Sequence, residues 1–422
     1  MKNINRYILL AIAFVVLSCD GDKKGNDENS IDVATAMLNP TELKASDYFN
    51  NVRYVALETT DESVIGANPT VQLFEDKILV TTTTSKQCFL FDKTTGKFIR
   101  SIGHVGNDPE GYSGTECFID EENERLFFNG WNNHYVSYSA DGRFLERFKI
   151  PSLKNGDEDI YPNVLYHCAG DTLVGLYGAF SGEVSNSLIY FTIAGDLLGV
   201  KRYGNEEISY KDMSDIGAVH IHRETAAENV LGNYMFIVAK DMETKSVYVM
   251  PGNAPFWHLG TETFFKGFFN DTIYQVSGTS LAPALLFDLG SYAWPYEEQY
   301  RDLNNRIFIS RVMEAEDKVY FRFVLNPYDQ DRMQFYNGFY TKSSGETQID
   351  LLDNRITDDL NNFIPLHINN VSSKGEFVSL VLAENIAAWF EDNPNKTASL
   401  PDNVKALMEV DAEDNPVIVL LN

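Results

Sequence analysis

No two cysteines in this chain are spaced as a CxxC pair, so the ligand sets of a zinc knuckle and of a thioredoxin-type redox site are missing. There are only four, Cys19, Cys88, Cys117 and Cys168, at wide intervals. With Cys19 set aside an odd number remains, which cannot be fully paired within the chain, and buried free thiols are expected. The GxSxG elbow, the HExxH helix, the P-loop and the EF-hand loop are absent as well. The hydrolase, metalloprotease, nucleotide and calcium chemistries served by those motifs lose their local signatures, and no cofactor is expected apart from a divalent cation. Basic residues are scarce: 34 Lys and Arg stand against 61 Asp and Glu, a net charge of −27. Such a surface repels phosphate backbones, which excludes nucleic acid as a partner. Membrane-length apolar runs are missing too. Ile8 to Leu17 is unbroken for ten residues, half of the roughly 20 that a crossing helix needs.

What that short run does have is Lys2 and Arg6 before it, the layout of a secretory signal peptide. The junction Leu17-Ser18-Cys19 resembles a bacterial lipobox, whose cysteine is acylated and whose signal is cleaved just before it. The resemblance implies a lipid on Cys19 as the only membrane contact, held by ~0.8 kcal/mol per buried CH₂. An ordinary cleaved signal with an incidental cysteine is the alternative. Asp20 to Ser30 contains no apolar residue and cannot offset its ordering entropy by burial, so it reads as a flexible tether. Acidic residues behind Cys19 resemble the export signal of Bacteroides-type surface lipoproteins, diluted here by Lys23 and Lys24. An outer-membrane lipoprotein facing the cell surface is expected, with the periplasmic face as the alternative. The chain divides into a signal peptide over 1–18, a lipidated tether over 19–45 and a body over 46–422.

The body repeats one unit. Ile78-Leu79-Val80 and Cys88-Phe89-Leu90-Phe91 are β-rich runs, Asp92 to Gly96 is a turn, and Lys97 to Ile102 alternates polar and apolar. The pattern recurs over Arg125–Phe128, Tyr135–Tyr138 and Arg143–Phe148, and again over Thr172–Leu176, Ser187–Thr192 and Leu197–Arg202. Looser copies run from Phe264 to Leu289, from Lys318 to Leu351, and from Phe363 to the terminal Pro416–Leu421. A spacing of roughly 45 to 50 residues lies in the range of propellers and arrays. About six blades fit the length, and a terminal strand completing a blade begun elsewhere would close the ring and remove its exposed edges. The predicted fold is all-β, a six-bladed β-propeller with a few helical insertions late in the chain; two or more sandwiches in series are the alternative. Glu297–Val312, Ala383–Glu391 and Pro401–Met408 carry helix-like apolar spacing.

On these residues the chain resembles the six-bladed β-propeller lipoproteins of Bacteroides-type bacteria, related in form to NHL and TolB-like propellers. The matching segments are Leu17-Ser18-Cys19, Val52–Thr60, Phe98–Gly103, Asn270–Tyr274 and Glu413–Val419. The resemblance implies the fold over nearly the whole mature chain and says little of chemistry, since a shared fold does not confer function. One loop departs from the pattern: where the family tends to Gly-Pro-Gly-acid-aromatic, this chain reads Gly106-Asn107-Asp108-Pro109-Glu110-Gly111-Tyr112.

Candidate site residues follow from side-chain chemistry. On a strand, residues two apart face the same side, so His220 and His222 could share one metal ion; a surface pair without metal is the plainer reading. Trp131, Asn132, His134 and Tyr135 gather a π face and amide donors in one connection, and Trp257, His258 and Trp294 sit in others. Such groups stack on sugars when exposed and pack between blades when buried. Two functions remain: a binding or scaffold propeller of the cell envelope, with a glycan or an envelope protein as ligand, and a propeller enzyme, a glycoside hydrolase or polysaccharide lyase. An acidic pair or a His-rich metal cluster in the axial pocket would favour the enzyme.

Overall fold

The computed structural model describes residues 29–422 apart from 83–84, 156, 163, 178–186, 203–215, 224–234, 242–246, 252–254, 300 and 330; between 216 and 251 the backbone strands are described, but of their side chains only that of Lys240. The chain begins with β1 (Ser30–Asp32), two short helices, α1 (Val33–Ala36) and α2 (Ala45–Tyr48), and β2 (Val52–Ala56). The first blade follows as β3 (Pro69–Phe74), β4 (Lys77–Thr82), β5 (Gln87–Asp92) and β6 (Phe98–Ser101). The second is β7 (Cys117–Asp120), β8 (Arg125–Asn129), β9 (His134–Ser139) and β10 (Phe144–Lys149). A hairpin of β11 (Leu153–Asn155) and β12 (Glu158–Ile160) leads to the third blade, β13 (Val164–Ala169), β14 (Thr172–Tyr177), β15 (Ser187–Thr192) and β16 (Leu197–Arg202).

A three-stranded sheet, β17 (Ile216–Arg223), β18 (Met235–Asp241) and β19 (Val247–Pro251), is inserted before the fourth blade. That blade comprises β20 (Phe256–Leu259), β21 (Glu262–Phe265), β22 (Thr272–Ser277) and β23 (Ser280–Asp288), and the fifth β24 (Ile307–Glu314), β25 (Lys318–Leu325), β26 (Gln334–Thr341) and β27 (Glu346–Leu351). The sixth takes β28 (Ile368–Val371), β29 (Phe377–Val381) and β30 (Val417–Leu421) from the end of the chain and β2 from its start. Six antiparallel blades thus form the predicted propeller.

The ring closes through register rather than a covalent link: Val52 faces Leu421, Tyr54 faces Val419 and Ala56 faces Val417. β30 reads Val-Ile-Val-Leu-Leu with every residue buried, because a middle strand of a blade packs on both faces. Its alternation is visible in the packing. Val417, Val419 and Leu421 enter the core between blades five and six, and Ile418 and Leu420 the core between six and one. At Gly96 in the turn of the first blade, φ is +71°, and a Cβ there would fall 1.9 Å from the carbonyl oxygen of Ala56; only glycine lets that turn lie against β2.

Two expectations change. Residues 30–45, read from sequence as the end of a tether, are part of the body: β1 adds a parallel fifth strand to the fourth blade, pairing Ser30 with Leu286 and Asp32 with Asp288, and Ile31 and Val33 are fully buried. Glu297–Val312 is not a helix; a single 3₁₀ turn covers Tyr296–Glu298, and Ile307–Glu314 is β24, whose apolar run fits either periodicity. The innermost strands of the first three blades, β3, β7 and β13, carried no sequence signal strong enough to place them. The helix at Ala383–Asp392 does form, and the Pro401–Met408 segment becomes a short helix over Asp402–Lys405 running into a 3₁₀ turn over Ala406–Glu409. Both lie in the β29–β30 connection.

Candidate functional site

Each blade presents its first strand to the axis, and polar links between these inner layers run right round the ring. Gln72 Nε2 donates to the Cys117 carbonyl at 3.1 Å, Asp120 meets His167 at 3.4 Å, and the His258 ring reaches the His167 carbonyl at 3.1 Å. Trp257 Nε1 donates to Glu314 at 2.9 Å, Arg322 donates to the Ile368 carbonyl, and Asn370 Nδ2 donates to the Val71 carbonyl at 3.0 Å. These bonds satisfy groups that a purely apolar seam would leave orphaned.

Inside this hoop lies a cavity of about 440 Å³, lined by residues of β3, β7, β13, β20, β24 and β28. One end is stoppered by the turn between β28 and β29. Ser373 donates from its backbone N–H and its hydroxyl to the Glu121 carboxylate, and its carbonyl accepts from Gly260 at 2.7 Å. Next to it Lys374 bonds Glu75 at 2.8 Å, so one turn of the sixth blade spans to the first, second and fourth. At the other end the lining continues into the connections of the opposite face through Glu116, Asn129, Tyr135, Pro255 and Lys266.

Burial and chemistry vary along this channel. Aromatic rings cover the side between blades two and four: Tyr166 stacks on Phe256 at 5.6 Å and leans on the His258 ring at 5.0 Å, with Phe118 and Tyr135 close by. Burial, with His167 adding to it, lowers the His258 imidazole to about 4, so it is neutral. Lys266, 7% exposed, holds its ammonium against the Gly267 carbonyl at 3.2 Å, with no carboxylate within ion-pair distance among the described residues. Burial lowers it to about 8, with Asp271 pulling the other way. Opposite, β24 carries a bulge between Ile309 and Arg311. The extra residue, Ser310, is 9% exposed, its hydroxyl has no hydrogen-bond partner among the described residues, and it lines the cavity together with Arg311.

The two acids of the lining, Glu116 and Glu121, flank β7 at its two ends. Five residues of extended chain put them roughly 16 Å apart, beyond the ~5 to 9.5 Å over which paired carboxylates cleave a glycosidic bond. Among the described residues no group of three or more His, Cys, Asp or Glu converges as a metal site. His220 and His222 lie on β17, and their side chains are outside the described residues.

The sequence-derived aromatic candidates separate. Tyr135, Trp257 and His258 line the cavity, although the Trp257 indole is spent on Glu314. Trp131 is 44% exposed on the face away from the Ser373 turn, its Nε1 bonded to the Gly106 carbonyl at 2.7 Å. Asn132 has φ +57°, a left-handed turn position that asparagine tolerates, and its carbonyl meets the His134 ring at 2.8 Å; both shape the β8–β9 turn. Trp294, 4% exposed, packs against Phe269 and Tyr328 away from the channel. In the departing loop Tyr112 is buried on Phe128 and its hydroxyl donates to Ile102, a packing role. Lys266, Ser310, Arg311 and Tyr166 were missed. The one available signal was a lysine amid Phe264-Phe265-Lys266-Gly267-Phe268-Phe269, a place where charge has to be explained.

A family model described as a domain of unknown function, DUF4934, matches residues 28–422. The chain belongs to that family. Among solved structures, a Bacteroides fragilis protein assigned as exported aligns at a TM-score of 0.60 with 15% identity, covering 93% of this chain and 98% of that one, which is a likeness of fold alone. The WD40 repeats of RRP9 align at 0.39 with 11% identity over 90% of this chain and 99% of that one, too distantly to bear on it. No curated protein matches the sequence. The DUF4934 propeller thus has its fold in common with known structures, and its channel has to be read from its own residues.

Proposed function

We propose that this DUF4934 propeller is an exported lipoprotein of the cell envelope, anchored through Cys19, that binds a glycan end in its axial channel without transforming it. The observation that carries the reading is the channel itself: closed at one end by Ser373, walled by Tyr166 and Phe256, and furnished with the unpartnered Ser310 hydroxyl. A cavity with aromatic rings on one side and polar and charged groups on the other suits a small ligand that has both an apolar face and polar substituents. The separation of Glu116 from Glu121 works against glycoside hydrolysis by that pair. The export assigned to the Bacteroides fragilis structural relative supports an envelope location, and the lipobox resemblance supports the anchor. Kinship to NHL and TolB-like propellers belongs to the same proposal.

Calorimetric titration of the full chain with neutral and acidic oligosaccharides tests it. Saturable binding with no new reducing ends is expected, weakened about tenfold or more by Tyr166→Ala through loss of a stacking face. Turnover abolished by Glu121→Gln would replace the reading with an enzyme, and capture of one envelope protein without any sugar binding would replace it with a scaffold.

A further inference from the structure

Resting on that channel as a binding site, we infer that its ligand is a carboxylate-bearing ring, acid group held by Lys266 and Ser310 and ring face against Tyr166 and Phe256. The positive charge is the first reason. On a chain of net charge −27 the lining of this interior site sets two cations, Lys266 and Arg311, against two carboxylates, and the carboxylate that acts on Lys266 is neither of those but Asp271. Glu121 is engaged by Ser373 at the stopper, and Glu116 is exposed at the opposite end of β7. An ammonium buried without an ion-pair partner costs several kcal/mol of desolvation, and such a group persists where an incoming anion completes it.

Ser310 is the second reason. Its hydroxyl is buried without a partner because a bulge turns it out of the β24 ladder, and a bulge beside a cavity re-aims a side chain toward whatever fills it. A carboxylate can accept from this hydroxyl and from the ammonium through its two oxygens. The third is the aromatic wall: Tyr166 and Phe256, stacked on each other, both line the cavity and give one side of it the apolar, polarisable surface that ring ligands pack against.

The acid has more than one source, so D-glucuronate, an oligogalacturonide and benzoate serve as probes, with glucose and an uncharged oligoglucoside as their neutral counterparts. Titration calorimetry of the full chain is expected to give affinities about tenfold or more tighter for the carboxylates than for the neutral sugars. Oligogalacturonide above glucuronate identifies a polymer end, and benzoate equal to glucuronate identifies a free carboxylate. Lys266→Met is expected to erase the carboxylate preference, and Ser310→Ala to reduce it in part. The melting temperature of each variant separates lost binding from lost fold. The titratable group acting on Lys266 is Asp271 on its own loop, with Arg311, His258, Glu116 and Glu121 elsewhere in the cavity lining. Among these, carboxylate affinity that falls as pH rises through about 8 tracks the lysine. Equal affinity for glucose and glucuronate, or a preference untouched by Lys266→Met, overturns the inference and leaves channel binding standing. Absence of binding by every probe at millimolar concentration overturns both.

Discussion

A buried lysine with no salt bridge is a liability to the fold, and at Lys266 the sign of that liability is measurable. Its folded value of about 8 lies below the ordinary 10.5, so the folded chain resists the proton that the unfolded chain accepts. Lys266→Met is therefore expected to raise the melting temperature at neutral pH, with the gain shrinking as pH rises from about 8 to 10.5. Site residues often carry that trade of stability for function. His258 acts at the other end of the scale. Depressed from 6.5 to about 4, it contributes stability that is complete above about pH 6.5 and is lost as pH falls to about 4. His367, pushed well below its ordinary value by burial and by Arg322, Arg355 and Arg311, works in the same direction. A pH series of urea midpoints is expected to fall across that acid window, and His258→Gln to flatten it by up to about 3 kcal/mol. Gly96→Ala combines a left-handed φ with a clash against the Ala56 carbonyl, and is expected to cost about 2 kcal/mol or more in the same assay.

At the scale of elements, what could be read from sequence and what could not divide by position within a blade. The middle strands were legible, because a strand packed on both faces is nearly all apolar, as Val417–Leu421 and Ser187–Thr192 are. The outer strand was legible where a turn announced it, as Asp92–Gly96 announces Phe98–Ser101. The inner strands were less so, because their faces toward the channel carry polar or half-buried residues such as Gln72, Tyr166, Ser310 and Asn370, which shorten the apolar runs that mark the middle strands. The candidate site was illegible for the same reason: its residues come from six strands distant in sequence and share no motif. Trp294 was singled out for a ring that turned out to pack, while Ser310 lay within a segment read as helix. Closure depends on β2, whose partners include Asp358, which accepts from Tyr54 Oη at 2.6 Å, and Asn361, which donates to the Val52 carbonyl at 3.1 Å. A chain begun at Glu58 leaves the edge of β30 bare and is expected to aggregate and to lose its cooperative thermal transition, whereas one begun at Ser30 is expected to melt as the full chain does; size-exclusion chromatography and thermal melts read both.

For the molecule as a whole, the polar hoop and the six apolar seams do different jobs. The seams supply non-directional burial, and the hoop fixes which side chain meets which across each boundary, Trp257 with Glu314 and Asn370 with Val71. The surrounding negative field bears on how ligands arrive. A carboxylate approaching a chain of −27 is repelled before it reaches Lys266, so its association rate is expected to rise with added salt while its dissociation changes little, a split that stopped-flow measurement resolves. The N-terminal strand has a mechanical meaning. Tension entering the chain ahead of Ser30 is met first by β1, clamped along the edge of the fourth blade at Leu286, Phe287 and Asp288, and only afterwards by β2, which seals the ring in the sixth. The clamp works as a strain relief does on a cable: a pull on the chain ahead of Ser30 is taken up along the fourth blade before it reaches the seam in the sixth that keeps the ring closed.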